Sequence, residues 1–122
     1  MSEIITVNLA ETVGNGRAVH VTEEGDVYNA VLPSRPATGV CLTGGDATDA
    51  VQVFISGTIP APIEGAGGAV VYLDNTTPGQ LTSEKPNGPS QTLGKLSDGA
   101  RMIVNIDQFT PQLSPAAAKF FL

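Results

Sequence analysis

Short runs of alternating apolar and polar residues, each closed by a turn rich in glycine or proline, recur along this chain from Ile4 to Ile106. A period of two sends successive side chains to opposite faces of a pleated strand, so the pattern confines the chain to β structure with one buried face per strand. Ile5, Val7 and Leu9 alternate with Thr6 and Asn8. Gly14-Asn15-Gly16 then forms a turn, because glycine takes positive φ without steric cost and asparagine tolerates it. Residues 17–22 and 27–31 flank the polar turn Glu23-Glu24-Gly25-Asp26 and predict a hairpin. Gly39 to Leu42 predicts a short strand, and Val51 to Gly57 is the strongest strand signal in the chain.

Beyond Pro60-Ala61-Pro62 and Gly65-Ala66-Gly67-Gly68 the order of signals repeats: residues 69–73, a turn over 74–79, then 80–82, 91–96 and 101–106. Gly16, Ala18, Val19 and Val21 match Gly67, Ala69, Val70 and Tyr72 at one constant offset, and Val51, Val53 and Ile55 match Met102, Val104 and Ile106 at the same one. Gly39 and Gly94 align at a slightly larger spacing, which places length differences in the turns. The expected organisation is an N-terminal arm or edge strand over 1–13, a single β domain over 14–113 with similar halves at about 14–59 and 66–108, and a C-terminal tail over 114–122. Each half holds too little sheet to bury one face alone. Packed together, they predict an all-β fold, a small barrel or sandwich of short antiparallel strands. Ser114 followed by Pro115 to Phe120 is the one helix candidate, a turn or two long.

The chain has 122 residues, enough for one core, and its 14 glycines and 9 prolines favour short strands over long helices. Its net charge of −6, with only six Lys and Arg, argues against a nucleic-acid partner. No apolar run approaches the roughly 20 residues that span a bilayer, and Met1-Ser2-Glu3-Ile4 lacks the basic and apolar regions of a signal peptide. A soluble protein made in the cytoplasm is expected. Cys41, the sole cysteine, lies between Val40 and Leu42 and reads as a buried small hydrophobe.

The search for chemistry yields little. His20 is the one histidine, and its place between Val19 and Val21 turns its ring away from their face, so no base stands beside a nucleophile in the pattern a triad requires. Neither Glu23, Glu24 and Asp26 nor Asp46 and Asp49 have the spacing of an EF-hand. Nothing in the pattern brings Glu64 and Asp107 to the separation of a glycosidase pair. Gly65 to Gly68 precedes a strand and opens no helix, which is the reverse of a dinucleotide-binding loop. The expectation is a non-enzymatic domain without metal or cofactor.

Two stretches carry a resemblance. Ala37-Thr38-Gly39-Val40-Cys41-Leu42, with Ala47 through Ser56-Gly57-Thr58-Ile59, resembles the segment of lambda-type phage head decoration proteins in which a strand and polar loop lead to a strand ending Ser-Gly-Thr. Gly68 to Ile106, with Val71-Tyr72-Leu73, Thr77 to Thr82 and Gln91 to Leu96, is similar to a module of phage head and tail fibres. The resemblance implies a β-tulip-like virion protein, made in the host bacterial cytoplasm, that decorates the capsid surface. As implied, it is a homotrimer that binds the major capsid protein after expansion and cements subunit contacts, with no chemistry required. A head-fibre, tail-fibre or baseplate module is the alternative, and a carbohydrate-binding module is disfavoured by the absence of tryptophan.

The sequence departs from the decoration family at both ends, with a strand-like N-terminus and an apolar C-terminus. These ends supply the expected contacts with capsid or neighbouring protomer: Ile4, Ile5, Val7 and Leu9 as an added strand, and Phe120, Phe121 and Leu122 in a partner's groove, unless those three fold back on their own core. On this reading, deleting residues 2–11 abolishes capsid binding and leaves the domain folded.

Overall fold

The computed structural model describes residues 3–106 apart from Pro33, Pro89 and Gly99. It is all-β, with strands β1 (Glu3–Leu9), β2 (Arg17–Val21), β3 (Asp26–Asn29), β4 (Gly39–Cys41), β5 (Ala50–Pro60), β6 (Val70–Leu73), β7 (Leu81–Thr82), β8 (Thr92–Asp98) and β9 (Arg101–Asn105). The helix expected after Ser114 and the contact residues Phe120, Phe121 and Leu122 lie outside the described residues.

One mixed sheet runs β1-β3-β2-β4-β5-β9-β8-β6-β7, and β1 also pairs with β5. That extra pairing closes β1, β3, β2, β4 and β5 into a ring. Antiparallel pairing was expected throughout, but β1 is parallel to β3, with Asn8 opposite Asp26 and Leu9 opposite Val27. The reason is parity: a ring of five strands cannot alternate direction at every step, so one neighbouring pair must be parallel.

β5 joins the ring to the remaining strands. Phe54 is paired with both Ile4 and Val40, and Ser56 with both Glu3 and Asn105. A strand residue has two edges, so β1 occupies one edge of β5 while β4 and then β9 follow each other along the opposite edge. The strand continues to Pro60, beyond the expected end at Gly57, because β9 pairs with it from Ser56 to Pro60. Near the change of partner, Gly57 takes φ +113. The cluster served by the buried positions changes there as well, with Val51 and Val53 in the ring before the glycine and Ile59 in a second cluster after it.

Two apolar clusters result. Leu9, Val13, Val19, Val27, Cys41, Val51 and Val53 fill the ring. The second cluster lies between the ring wall and the other four strands, where Ala18 and Val40 meet Val71, Leu73, Leu93, Leu96, Met102 and Val104. Strands β2 and β4 therefore bury both faces, Val19 and Cys41 into the ring and Ala18 and Val40 against the outer sheet. Burial of each large aliphatic side chain contributes about 1.5–3 kcal/mol.

The same connectivity occurs twice, β3-β2-β4-β5 and β7-β6-β8-β9. Within it Val19 stands opposite Gly39 and Val71 opposite Gly94, so the pairing equates Val19 with Val71, one residue further along than the sequence match to Val70. Both glycines are required by close packing. A Cβ on Gly39 would lie 2.4 Å from Val53 Cγ1, and one on Gly94 would lie 2.0 Å from the Ile103 carbonyl oxygen.

Polar ties also join the halves. The buried Gln91 side chain accepts from Ala37 N and donates to Ala37 O, each at 2.8 Å, mimicking a strand partner for an otherwise unpaired loop peptide. Gly79 reaches the β2–β3 hairpin, accepting from Ala18 N and donating to Ala30 O, both at 2.8 Å.

Replacing Gly94 with alanine should lower unfolding free energy by about 3 kcal/mol, the upper range for overpacking a filled interior. Gly25→Ala, which has nothing within 4 Å of the added Cβ at φ +90, should cost only about 1–2 kcal/mol of backbone strain. Urea midpoints of the two variants check this ordering, and equal losses would contradict it.

Candidate functional site

Several of the polar residues that sequence inspection singled out are engaged with their own chain. His20 lies opposite Tyr28 in the β2–β3 ladder, and its Nδ1 is 2.7 Å from the Pro36 carbonyl oxygen. A carbonyl only accepts, so Nδ1 carries the proton and the ring serves to hold the 31–38 loop. The guanidinium of Arg35 covers the Tyr28 ring at 3.8 Å from its centroid, a second tie on the same loop.

The loop of Asp46 and Asp49 is likewise turned inward on its own backbone. Asp49 Oδ2 accepts from Asp46 N at 2.9 Å, while Asp49 N donates to Asp46 O at 3.0 Å. This tight loop holds Thr48 at φ +78, the one positive-φ non-glycine among the described residues. Glu11 was not singled out, yet its Oε2 accepts from both Asn29 N and Asn29 Nδ2, at 3.0 and 2.8 Å, tying the β1–β2 link to β3. No feature of the sequence marks that contact, because it joins a linker to a strand end. Among the described residues, no three His, Cys, Asp or Glu side chains gather as a metal-holding group.

Asp74 caps its own turn, accepting from Thr76 N at 2.8 Å and Thr76 Oγ1 at 2.7 Å. The Thr76 hydroxyl, followed by the Thr76 N–H, holds the Asp74 carboxyl below the usual carboxylate range. Burial pushes the Cys41 thiol up, against a smaller opposing pull from its contact with Thr43, so it is a poor nucleophile near neutrality.

What faces outward is strand edge and strand face. Of the β1 residues expected to contact a partner, Leu9 is buried, Ile5 and Val7 pack on the ring interior, and Ile4 is 47% exposed. Pairing with β3 covers only Asn8 and Leu9, so the outer edge from Glu3 to Val7 carries no ladder partner among the described residues. Leu9 N donates to Asp49 O and Ala10 N to Val27 O, which fixes the alternation: the amides of Ile4 and Thr6 point to the open edge. Because β1 closes the ring and buries Leu9, deleting residues 2–11 should unfold this part of the domain rather than leave it intact.

A second surface was missed by the sequence reading. Val70, Lys95, Ile103 and Thr58 stand opposite one another across β6, β8, β9 and β5 and form an exposed row. The adjacent valines Val70-Val71 give no sequence signal for which member faces out. Shallow depressions among the described residues include one beside the row, lined by Thr58, Ile59, Pro60, Ala100 and Arg101, and one of about 430 Å³ between Asp74 to Thr76 and Thr82 to Asn87.

No family model matches the chain, and no curated protein matches it.

Asp74→Ala should cost about 0.5 kcal/mol at neutral pH, since the site is exposed and solvent-screened. The folded-state pKa is depressed, so the charged form's contribution is full above the unfolded value of about 4 and fades as pH falls through the lower folded value. Denaturation of wild type and variant at pH 7 and in acid should therefore give a gap that narrows in acid. A gap that widens there would refute the cap.

Proposed function

We propose that this protein is a phage virion component that decorates the outer surface of the expanded capsid and stabilises contacts between major capsid subunits without catalysis. The observation that carries the reading is the division of labour on the surface. His20, Glu11, Asp49 and Asp74 hold backbone of their own chain, whereas the open edge of β1 and the aliphatic Ile4 face outward. An unprotected strand edge invites another strand to pair with it, and natural edges are normally blunted by charge or proline. Here only Glu3, at the end of the open stretch, is charged.

The resembling segments support the same reading. Ala37 to Leu42 contains β4 and Ala47 to Ile59 contains most of β5, and β5 pairs with both β4 and β1 at the junction of the halves. The protein binds the major capsid protein and assembles as a homotrimer on the shell, within a virion produced in the bacterial cytoplasm, and uses no cofactor. The head-fibre, tail-fibre or baseplate reading keeps one specific support: the segment similar to fibre modules coincides with the sub-sheet β6 to β9.

Co-sedimentation with expanded and unexpanded capsids of the source phage tests the proposal. Saturable binding to expanded shells alone is expected, and binding to neither moves the assignment to the tail or fibre. Thr6→Pro tests the edge, because proline removes an outward-pointing N–H while leaving the β5 side of the ladder intact. It should weaken capsid binding at least tenfold, equivalent to about 1.4 kcal/mol. Unchanged affinity in a folded variant would rule out strand addition at β1.

A further inference from the structure

The chain contains two Asn-Gly pairs, Asn15-Gly16 and Asn87-Gly88, and the fold treats them in opposite ways. Asparagine before glycine is chemically vulnerable. The following backbone nitrogen can attack the side-chain amide carbon, and glycine offers no side chain to obstruct the ring that forms. Attack requires the glycine N–H to lose its proton and the side-chain amide to be free to turn.

At Asn15-Gly16 both requirements are blocked. Gly16 N donates to Leu42 O at 3.1 Å, and Asn15 Oδ1 accepts from Gly44 N at 2.8 Å. Gly16 is also packed, since a Cβ there would lie 3.1 Å from Pro62 Cβ.

At Asn87-Gly88 both residues are exposed, on the loop between β7 and β8. Among the described residues no hydrogen bond engages the Gly88 N–H or the Asn87 side chain. Space around Gly88 is open, with only Asn75 Nδ2 within 4 Å of an added Cβ, at 3.7 Å. One contact does reach the reacting peptide: Asn75 Nδ2 donates to the Asn87 carbonyl oxygen. When Gly88 N is deprotonated, its charge delocalises onto that same oxygen. A donor already aimed there stabilises the anion, by the logic of a preorganised hydrogen bond at developing charge.

We propose that Asn87-Gly88 is a site of spontaneous deamidation, promoted by Asn75 and confined to this pair by the fold. Gly88 N gives its proton to solvent and bonds to Asn87 Cγ, the Cγ–Nδ2 bond breaks, and ammonia leaves with the proton it needs. The resulting succinimide is opened by water. Cleavage of the bond from Cγ to Gly88 N yields aspartate, and cleavage of the bond from the backbone carbonyl carbon yields isoaspartate. Nothing is oxidised or reduced, and water is the only co-reactant. The product carries one additional negative charge on a loop that already presents Glu84, and isoaspartate inserts an extra methylene into the backbone.

The test is incubation of the full folded chain at mildly alkaline pH and body temperature, followed by proteolysis and mass spectrometry, with a denatured sample in parallel. In the folded protein the peptide holding Asn87 should convert to a mixture of aspartate and isoaspartate while Asn15 remains intact. In denaturant both pairs should convert alike. Asn75→Ala should slow conversion at Asn87 several-fold in the folded protein and leave the denatured rate unchanged. Mere loosening of the loop would speed conversion, so the direction separates activation from a structural effect. Conversion at Asn15 as fast as at Asn87, no conversion at Asn87 while the denatured chain reacts, or an Asn75→Ala rate at or above wild type would each overturn the proposal.

Discussion

The architecture depends on β5 being long enough to belong to two structures at once. Its first half supplies one wall of the five-stranded ring, paired with β1 along one edge and β4 along the other. Its second half, past Gly57, supplies the edge on which β9 and the outer sheet are built. Val51 and Val53 fill the ring before the glycine, and Ile59 enters the cluster between the halves after it. A strand of ordinary length, about five or six residues, could not serve both partners. Because the two small cores share this strand, and because β2 and β4 bury both faces, neither half presents a complete apolar surface of its own.

Much of this was legible in the sequence, since strands half buried by strict alternation announce themselves. Ile5, Val7 and Leu9 were read correctly as one face of a strand, and the hairpin around Glu23 to Asp26 follows from turn chemistry. Strands buried on both faces lose alternation, which is why Ala18-Val19 and Val40-Cys41 could be placed in strands but not assigned inward or outward. The parallel step between β1 and β3 has no local signal, because it follows from the number of strands in the ring. The same limit explains the one-residue error between Val70 and Val71: adjacent valines fit either register, and the pairing of Val71 with Gly94 decides it.

The surface divides along similar lines. That His20 is tied to a carbonyl, and that Glu11 is spent on Asn29, are long-range facts that spacing does not encode. Ile4 was named among the expected contacts on the strength of its strand, yet within that strand its neighbours Ile5 and Val7 serve the ring. On the proposed strand addition, a partner would meet the backbone edge and a single large aliphatic, and specificity would rest on ladder hydrogen bonds more than on apolar area. The exposed row of Val70, Lys95, Ile103 and Thr58 offers a broader and separate face.

If β5 binds the halves into one unit, the ring and the outer sheet must unfold together. Native-state hydrogen exchange in increasing denaturant tests this most directly, because it reports the opening free energy of each amide. Buried amides of β4 in the ring and of β8 and β9 in the outer sheet should converge on one global value with the same denaturant dependence. An outer sheet that opens at distinctly lower free energy, with the ring still protected, would contradict the account and make the two halves separate folding units.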